Sequence, residues 1–173
     1  MSTSDTHDVD ELDLAILKHL QDDGRRSFTD IAASLNVAVG TVRNRLNRLL
    51  ADETVRIVPR VNPQRVGFHA PATVMVAIEP TLREQAIAEI AGCPEVSWLA
   101  SVTGEYDLVV DVMCRNIEHL DEFLNRRLGQ VPGVKATQTA LYLKIYKVAL
   151  PDLDLLTPHP DPSRGTSAAR AGR

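Results

Sequence analysis

No apolar run in the 173 residues approaches the roughly 18 needed to cross a bilayer, which excludes a helical membrane span. The N-terminus, MSTSDTHDVDELD, lacks the basic and apolar regions of a secretory signal, so the expected compartment is the cytoplasm. Cysteine is nearly absent. Cys93 and Cys114 lie far apart, form no CxxC pair and have no histidine cluster beside them, and both read as small core hydrophobes. His7, His19, His69, His119 and His159 are scattered without metal-ligand spacing, and none accompanies a plausible nucleophile. No glycine-rich phosphate loop is present. Neither a metal, a cofactor nor an enzymatic activity is therefore expected.

An excess of positive charge is also missing, since the net charge is −4. The distribution matters more than the sum. Residues 37–66 hold Arg43, Arg45, Arg48, Arg56, Arg60 and Arg65 against only Asp52 and Glu53, a local charge of +4. A basic segment inside an acidic chain points to nucleic acid.

The pattern around that segment is helical. Asp10 is a good N-cap with Asp13 three residues on, and Leu12, Ile16, Leu17 and Leu20 form an apolar stripe that Gly24 closes as a C-cap. Ser27 and Asp30 start a second helix with Ile31, Ala32 and Leu35 inward. Asn36 tolerates the left-handed turn that follows. A third helix runs from Val39 to Ala51 with Val42, Leu46, Leu49 and Leu50 inward. Three short helices with a tight turn before the last make a helix-turn-helix. Residues 52–66 read as extended, a short wing or linker strand, because Pro59 and Pro63 exclude a helix.

From Pro71 the period changes. Strands are predicted over 72–79, 95–103, 106–114 and 134–148, with helices over 81–91 and 117–128. The order βαββαβ is ferredoxin-like. The predicted class is α+β: a winged helix-turn-helix domain over 9–62, a ferredoxin-like domain over 70–150, and a disordered Pro- and Ser-rich tail over 151–173. The strands are apolar on both faces: Val74, Val76 and Ile78 oppose Met75 and Ala77, and Leu108, Val110 and Val112 oppose Val109 and Met113. Two helices cover one face of such a sheet. The other face calls for a partner, most simply a second copy.

Three stretches in this order resemble the leucine-responsive/asparagine-synthase regulator (Lrp/AsnC) family: ELDLAILKHLQDDGRRSFTDIAASLNV (11–37), TVRNRLNRLL (41–50) and ASVTGEYDLVVDV (100–112) followed by VPGV (131–134). The resemblance implies DNA-binding dimers that build larger assemblies such as an octamer. It also implies a small-molecule effector, often an amino acid, bound by the second domain. Two positions depart from the family pattern. Ala38 stands where a serine commonly caps the third helix, and Glu53 stands where glycine is usual.

With Val42, Leu46 and Leu49 inward, the third helix presents Val39, Gly40, Arg43, Asn44 and Asn47 to double-stranded DNA. Arg43 suits guanine and Asn44 adenine. Thr41, Arg48, Arg56 and Arg60 are placed as phosphate contacts. Arg45 lies near the core edge, where an ion pair within the domain and a DNA contact are both open. Thr103, Gly104, Tyr106 and Asp107 are the candidate effector residues. Gly104 permits an unusual turn, and Asp107 suits an ammonium group. The alternative is a structural hairpin whose Asp107 bonds local amides. The leading function is a metabolite-modulated, sequence-specific transcription factor. A DNA-organising protein of low specificity shares these features. A ligand-binding module without DNA would lack the basic helix.

Overall fold

A computed structural model describes residues 9–156. Two compact units are present: one comprises the chain up to Val58 together with residues from Val148 onward, the other Pro59–Lys147.

The first unit holds α1 (Glu11–Asp22), α2 (Phe28–Leu35) and α3 (Val39–Ala51). Each helix starts where local chemistry permits. Asp10 accepts from the Asp13 amide at 2.9 Å while Asp13 bonds back to the Asp10 amide, a full capping box. Ser27 accepts from the Asp30 amide at 3.1 Å. Asn36 ends α2 with φ 53° and ψ 46°. The short side chain of asparagine tolerates this left-handed geometry, and the tight turn into α3 needs it. Ile16, Ile31, Ala32 and Val42 form the core of the unit, flanked by Leu12, Leu20 and Leu35. The end of α1 differs from expectation: Asp23, with an extended backbone, is its C-cap, and Gly24 lies one residue beyond.

No wing strand forms among residues 52–66. Pro59 and Pro63 offer no N–H to a ladder, and the segment's start bonds back to the end of α3 instead, through the Asp52 amide to the Arg48 carbonyl at 3.0 Å and the Val55 amide to the Leu49 carbonyl at 2.9 Å. Pro63–Val66 instead closes a 3-10 turn capped by Asn62. Glu53 takes φ 59°. A left-handed residue with a Cβ is strained by roughly 1–2 kcal/mol, and this is the position where the family pattern has glycine.

The second unit is a four-stranded antiparallel sheet in the order β2-β3-β1-β4, built from β1 (Ala70–Ile78), β2 (Val96–Ser101), β3 (Leu108–Cys114) and β4 (Val134–Leu141). Helix α4 (Arg83–Ala91) follows β1. Helix α5 (Ile117–Glu122) follows β3, then widens to a π turn over Phe123–Arg127 and tightens to a 3-10 turn ending at Gln130. This is the predicted βαββαβ order. The final strand stops at Leu141 rather than 148, because β1 runs out. The last bond joins the Tyr142 amide to the Pro71 carbonyl at 3.0 Å, beside the first residues of β1, and among the described residues the chain beyond has no partner strand.

One sheet face is closed. Ala72, Val74, Val76, Val110 and Val112 pack under Ala86 and Ile90 of α4 and Leu120, Phe123 and Leu128 of the second helical segment. Cys114 is buried with them, whereas Cys93 is only half-buried. Gly133 turns the chain into β4 with φ +91°, and a Cβ there would stand 2.7 Å from that of Leu82. The register places Thr73, Met75, Ala77, Trp98, Ala100, Val109 and Met113 on the opposite face. Trp98 is 53% exposed. On the same face the Thr73 and Tyr142 hydroxyls meet the Asp111 carboxylate, the tyrosine at 3.0 Å.

Residues 151–156 depart from the expected disordered tail over 151–173. Leu153–Leu156 forms a 3-10 turn, Lys18 pairs with Asp154, and Gln21 donates to the Pro151 carbonyl at 3.3 Å. These contacts hold the segment against α1. The remainder of that tail, 157–173, lies outside the described residues.

Candidate functional site

Helix α3 is held from behind. Val42, Leu46 and Leu49 are buried, and Arg43, Asn44, Asn47 and Gly40 are exposed on the other side. Spacings of four and three between the buried residues leave that outward ridge by elimination. Gly40 would meet nothing within 4 Å if it carried a Cβ, so its side of the helix is open. Val39 is a correction: it packs, half-buried, against the core of the helical unit instead of pointing outward. Thr41 is half-buried as well. Ala38 supplies no side-chain cap to α3, so the first turn keeps unsatisfied N–H groups.

The arginines divide. Arg43 is exposed and has no ion pair among the described residues. Arg45 and Arg48 are tied to α1. Arg45 pairs with Asp10 and reaches Asp13 at 3.3 Å, and Arg48 pairs with Asp13, whose side chain has no exposed surface. Arg48 is therefore corrected from a free phosphate contact to an internal anchor, because a buried carboxylate requires a cation beside it. Its Nε is buried and without a hydrogen-bond partner. Arg56 pairs only loosely with Glu53, at 3.6 Å and with both side chains about three-quarters exposed (74% and 76%). A contact of that kind is easily exchanged for another anion. Arg60 is exposed but falls in the other unit.

The candidate effector residues lie in the β2–β3 turn. Thr103 and Gly104 are exposed, while Tyr106 and Asp107 are half-buried. Gly104 takes φ +130°, a conformation that excludes other residues without strain. Asp107 departs from its expected role. Its Oδ2 accepts from the Ile78 amide at 2.8 Å and its Oδ1 from Arg83 Nη1 at 3.1 Å. The backbone continues the tie, from the Asp107 amide to the Val76 carbonyl and from the Val102 amide to the Asp107 carbonyl, both at 2.9 Å. The carboxylate thus fastens the turn to β1 and α4 through partners 29 and 24 positions away, not through the local amides of the structural alternative, and an ammonium group would compete with Arg83 for it.

Reading the sequence missed Arg83, and it saw Asp10 and Asp13 only as a cap. The signal for the latter was present. Two carboxylates three apart on α1 match two arginines three apart on α3, a spacing that brings each pair onto one helix face. Among the described residues, no group of three or more His, Cys, Asp or Glu side chains could hold a metal ion, and no helix is long and apolar enough to cross a membrane.

A helix-turn-helix with an exposed polar ridge is joined to a separate α+β domain, the two-domain build of a transcriptional regulator with a ligand-binding domain. Residues 9–50 match the AsnC-type helix-turn-helix domain and residues 71–151 the Lrp/AsnC ligand-binding domain. The chain belongs to the Lrp/AsnC family. It is 35% identical over 141 residues to an uncharacterised helix-turn-helix-type transcriptional regulator of Pyrococcus horikoshii, covering 81% of this chain and 89% of that one. A transcriptional regulator of Neisseria meningitidis in complex with L-methionine superposes with TM-score 0.77 at 25% identity, covering 87% of this chain and all (100%) of that one. A feast or famine regulatory protein of Mycobacterium tuberculosis complexed with L-methionine gives the same TM-score, 0.77, at 25% identity, covering 84% and 99%.

The acid-side stability of the first unit follows from its ion pairs. Arg45, and after it the Asp13 amide, hold the Asp10 carboxyl down at about 2 against an ordinary 3.8. A carboxyl lowered on folding stabilises the fold fully above about pH 4, and the contribution is lost as the pH falls through the folded value. Between pH 4 and 2 the thermal midpoint of the wild type is expected to fall more steeply than that of Asp10→Asn. Parallel profiles would show that the pair contributes nothing.

Proposed function

We propose that the chain is a sequence-specific DNA-binding transcription regulator whose second domain senses an amino acid or a related small metabolite. The observation that carries the first half is the exposed ridge of Arg43, Asn44 and Asn47 on a helix whose opposite side is fully committed to the core. Arginine and asparagine are the side chains that read guanine and adenine edges in the major groove. Gly40 lets the backbone approach the duplex. Thr41, Arg56 and Arg60 supply phosphate contacts, which position without reading sequence. No catalytic step is assigned, and the place of action is the cytoplasm.

Arg43→Ala is expected to cost about 1–3 kcal/mol of binding and to relax preference at one base position. Arg56→Ala should weaken binding to all duplexes alike and flatten the salt dependence. Competition titrations across single-base variants of a selected site compare the two. Identical profiles for both variants would remove the division of roles.

The open face of the sheet is the proposed self-association surface, for a homodimer from which larger assemblies such as an octamer are built. It is apolar around Met75, Val109, Met113 and Trp98, and large exposed apolar patches mark interfaces. Trp98→Lys places a charge there without touching the closed core. Light scattering at micromolar concentration is expected to show a smaller particle than the wild type, and an unchanged mass would reject this face.

For the effector, Thr103, Gly104 and Tyr106 remain the proposed contacts, with Asp107 holding the turn in shape. The two methionine complexes among the structural relatives make L-methionine the first ligand to test. Titration of amino acids into the full chain is expected to raise its thermal midpoint, and Gly104→Val, which cannot keep the turn's backbone, should abolish the response. A response that survived in Gly104→Val would place the ligand elsewhere.

A further inference from the structure

The three arginines of α3 are chemically alike and structurally unlike. Arg43 is exposed and uncommitted. Arg45 and Arg48 are held by the two carboxylates of the α1 capping box. Yet their side chains remain 28% and 35% exposed, so both guanidinium groups stay at the surface of the domain. Asp10 is 51% exposed while Asp13 is wholly buried. The outer carboxylate therefore sits on the guanidinium from the solvent side, with the inner one behind it.

This arrangement bears on selectivity. Phosphate neutralisation by Lys and Arg gives affinity for every DNA sequence, while base-edge contacts give discrimination. A guanidinium paired to a carboxylate of its own domain neutralises no phosphate and releases no counterion. Pairing Arg45 and Arg48 thus withdraws from α3 the share of its charge that would bind DNA indiscriminately, and it leaves the base-facing Arg43 in place.

We infer that Asp10 is a specificity-determining residue that masks Arg45 from DNA phosphates and so keeps the affinity for unrelated DNA low. The inference rests on the DNA-binding reading above. Asp10 stays ionised across the neutral range, so the mask is constant and not a pH switch. Its two duties are also separable. Serine keeps the cap, as Ser27 does at the start of α2 by accepting from the Asp30 amide at 3.1 Å, but it carries no charge, which leaves Arg45 only the inner Asp13 carboxylate at 3.3 Å and opens its solvent side.

The test uses the full-length chain and a mixed-sequence DNA duplex without a selected site. Binding is followed by fluorescence anisotropy as sodium chloride is varied, for wild type, Asp10→Ser, Arg45→Gln and the double variant, with folding checked by thermal melting. Release of one arginine to a phosphate steepens the slope of log K against log salt by about 0.9 and raises affinity at 0.1 M salt by up to about eightfold. Asp10→Ser is expected to show that gain. Arg45→Gln should weaken binding clearly in the Asp10→Ser background and much less in the wild-type background. That non-additivity is the signature of masking, and a lost structural contact would instead lower affinity and melting temperature together. Equal effects of Arg45→Gln in both backgrounds, or an unchanged slope in Asp10→Ser, would overturn the inference. If Asp10→Ser fails to fold, Asp10→Asn, an equally good N-cap, stands in its place with the same expectations. A wild-type chain that bound no duplex even at low salt would overturn the DNA-binding reading and this inference with it, which separates the two failures.

Discussion

A carboxylate with no exposed surface constrains everything around it. Asp13 is buried in the helical unit, where its charge is tolerable only because Arg45 and Arg48 supply cations and the Asp10 amide supplies a donor. Removing one member of a fully buried pair typically costs about 3–5 kcal/mol, and the cost here is smaller because the Arg45 and Arg48 side chains keep 28% and 35% exposure to screening water. The network therefore fixes more than stability. It joins the first turn of α1 to the middle of α3, which sets the rotation of α3 about its axis. Once that rotation is set, the ridge of Arg43, Asn44 and Asn47 has only one direction to face. The missing cap at Ala38 matters less than it would in a free helix, because α3 is anchored along its length by ion pairs as well as by Val42, Leu46 and Leu49.

The ligand-binding domain obeys a different constraint. Two helical segments cover one face of the sheet over β1 and β3, whose side chains directed toward them are apolar, while β4 stays exposed along most of its length. The other face carries Trp98 and two methionines, together with the Asp111 carboxylate, whose Oδ1 accepts from two hydroxyls of its own chain. A surface so largely apolar suits burial against a like surface better than exposure to water. The turn at Gly104 hangs from the β2–β3 edge of this sheet, and Asp107 and Arg83 keep it at a fixed height above β1.

Much of this was legible in the residues. Caps at Asp10 and Ser27, the left-handed Asn36 and the two periodicities announced themselves, because each depends on neighbours within four positions. What escaped depends on long range. Arg48 looked free because its partner lies on another helix, thirty-five positions away. Asp107 looked like a ligand because nothing local shows that the Ile78 amide and Arg83 claim its two oxygens. The expected wing failed for a related reason: alternating valines and isoleucines describe a segment able to join a sheet, and no neighbouring strand receives it. The last strand was drawn too long because the reach of β4 is set by where β1 ends.

Beyond Leu141 the chain leaves the ladder, with Leu143 and Tyr146 almost fully exposed at 92% and 86%. A ribbon of unpaired N–H and C=O groups lined with such side chains is a template for indiscriminate strand pairing. Lys144 and Lys147 break the apolar run, and Lys144 lies 4.9 Å above the ring of Tyr146. Positive charge placed there makes two identical ribbons repel at close range. Charges in such positions work against edge-to-edge aggregation of like segments.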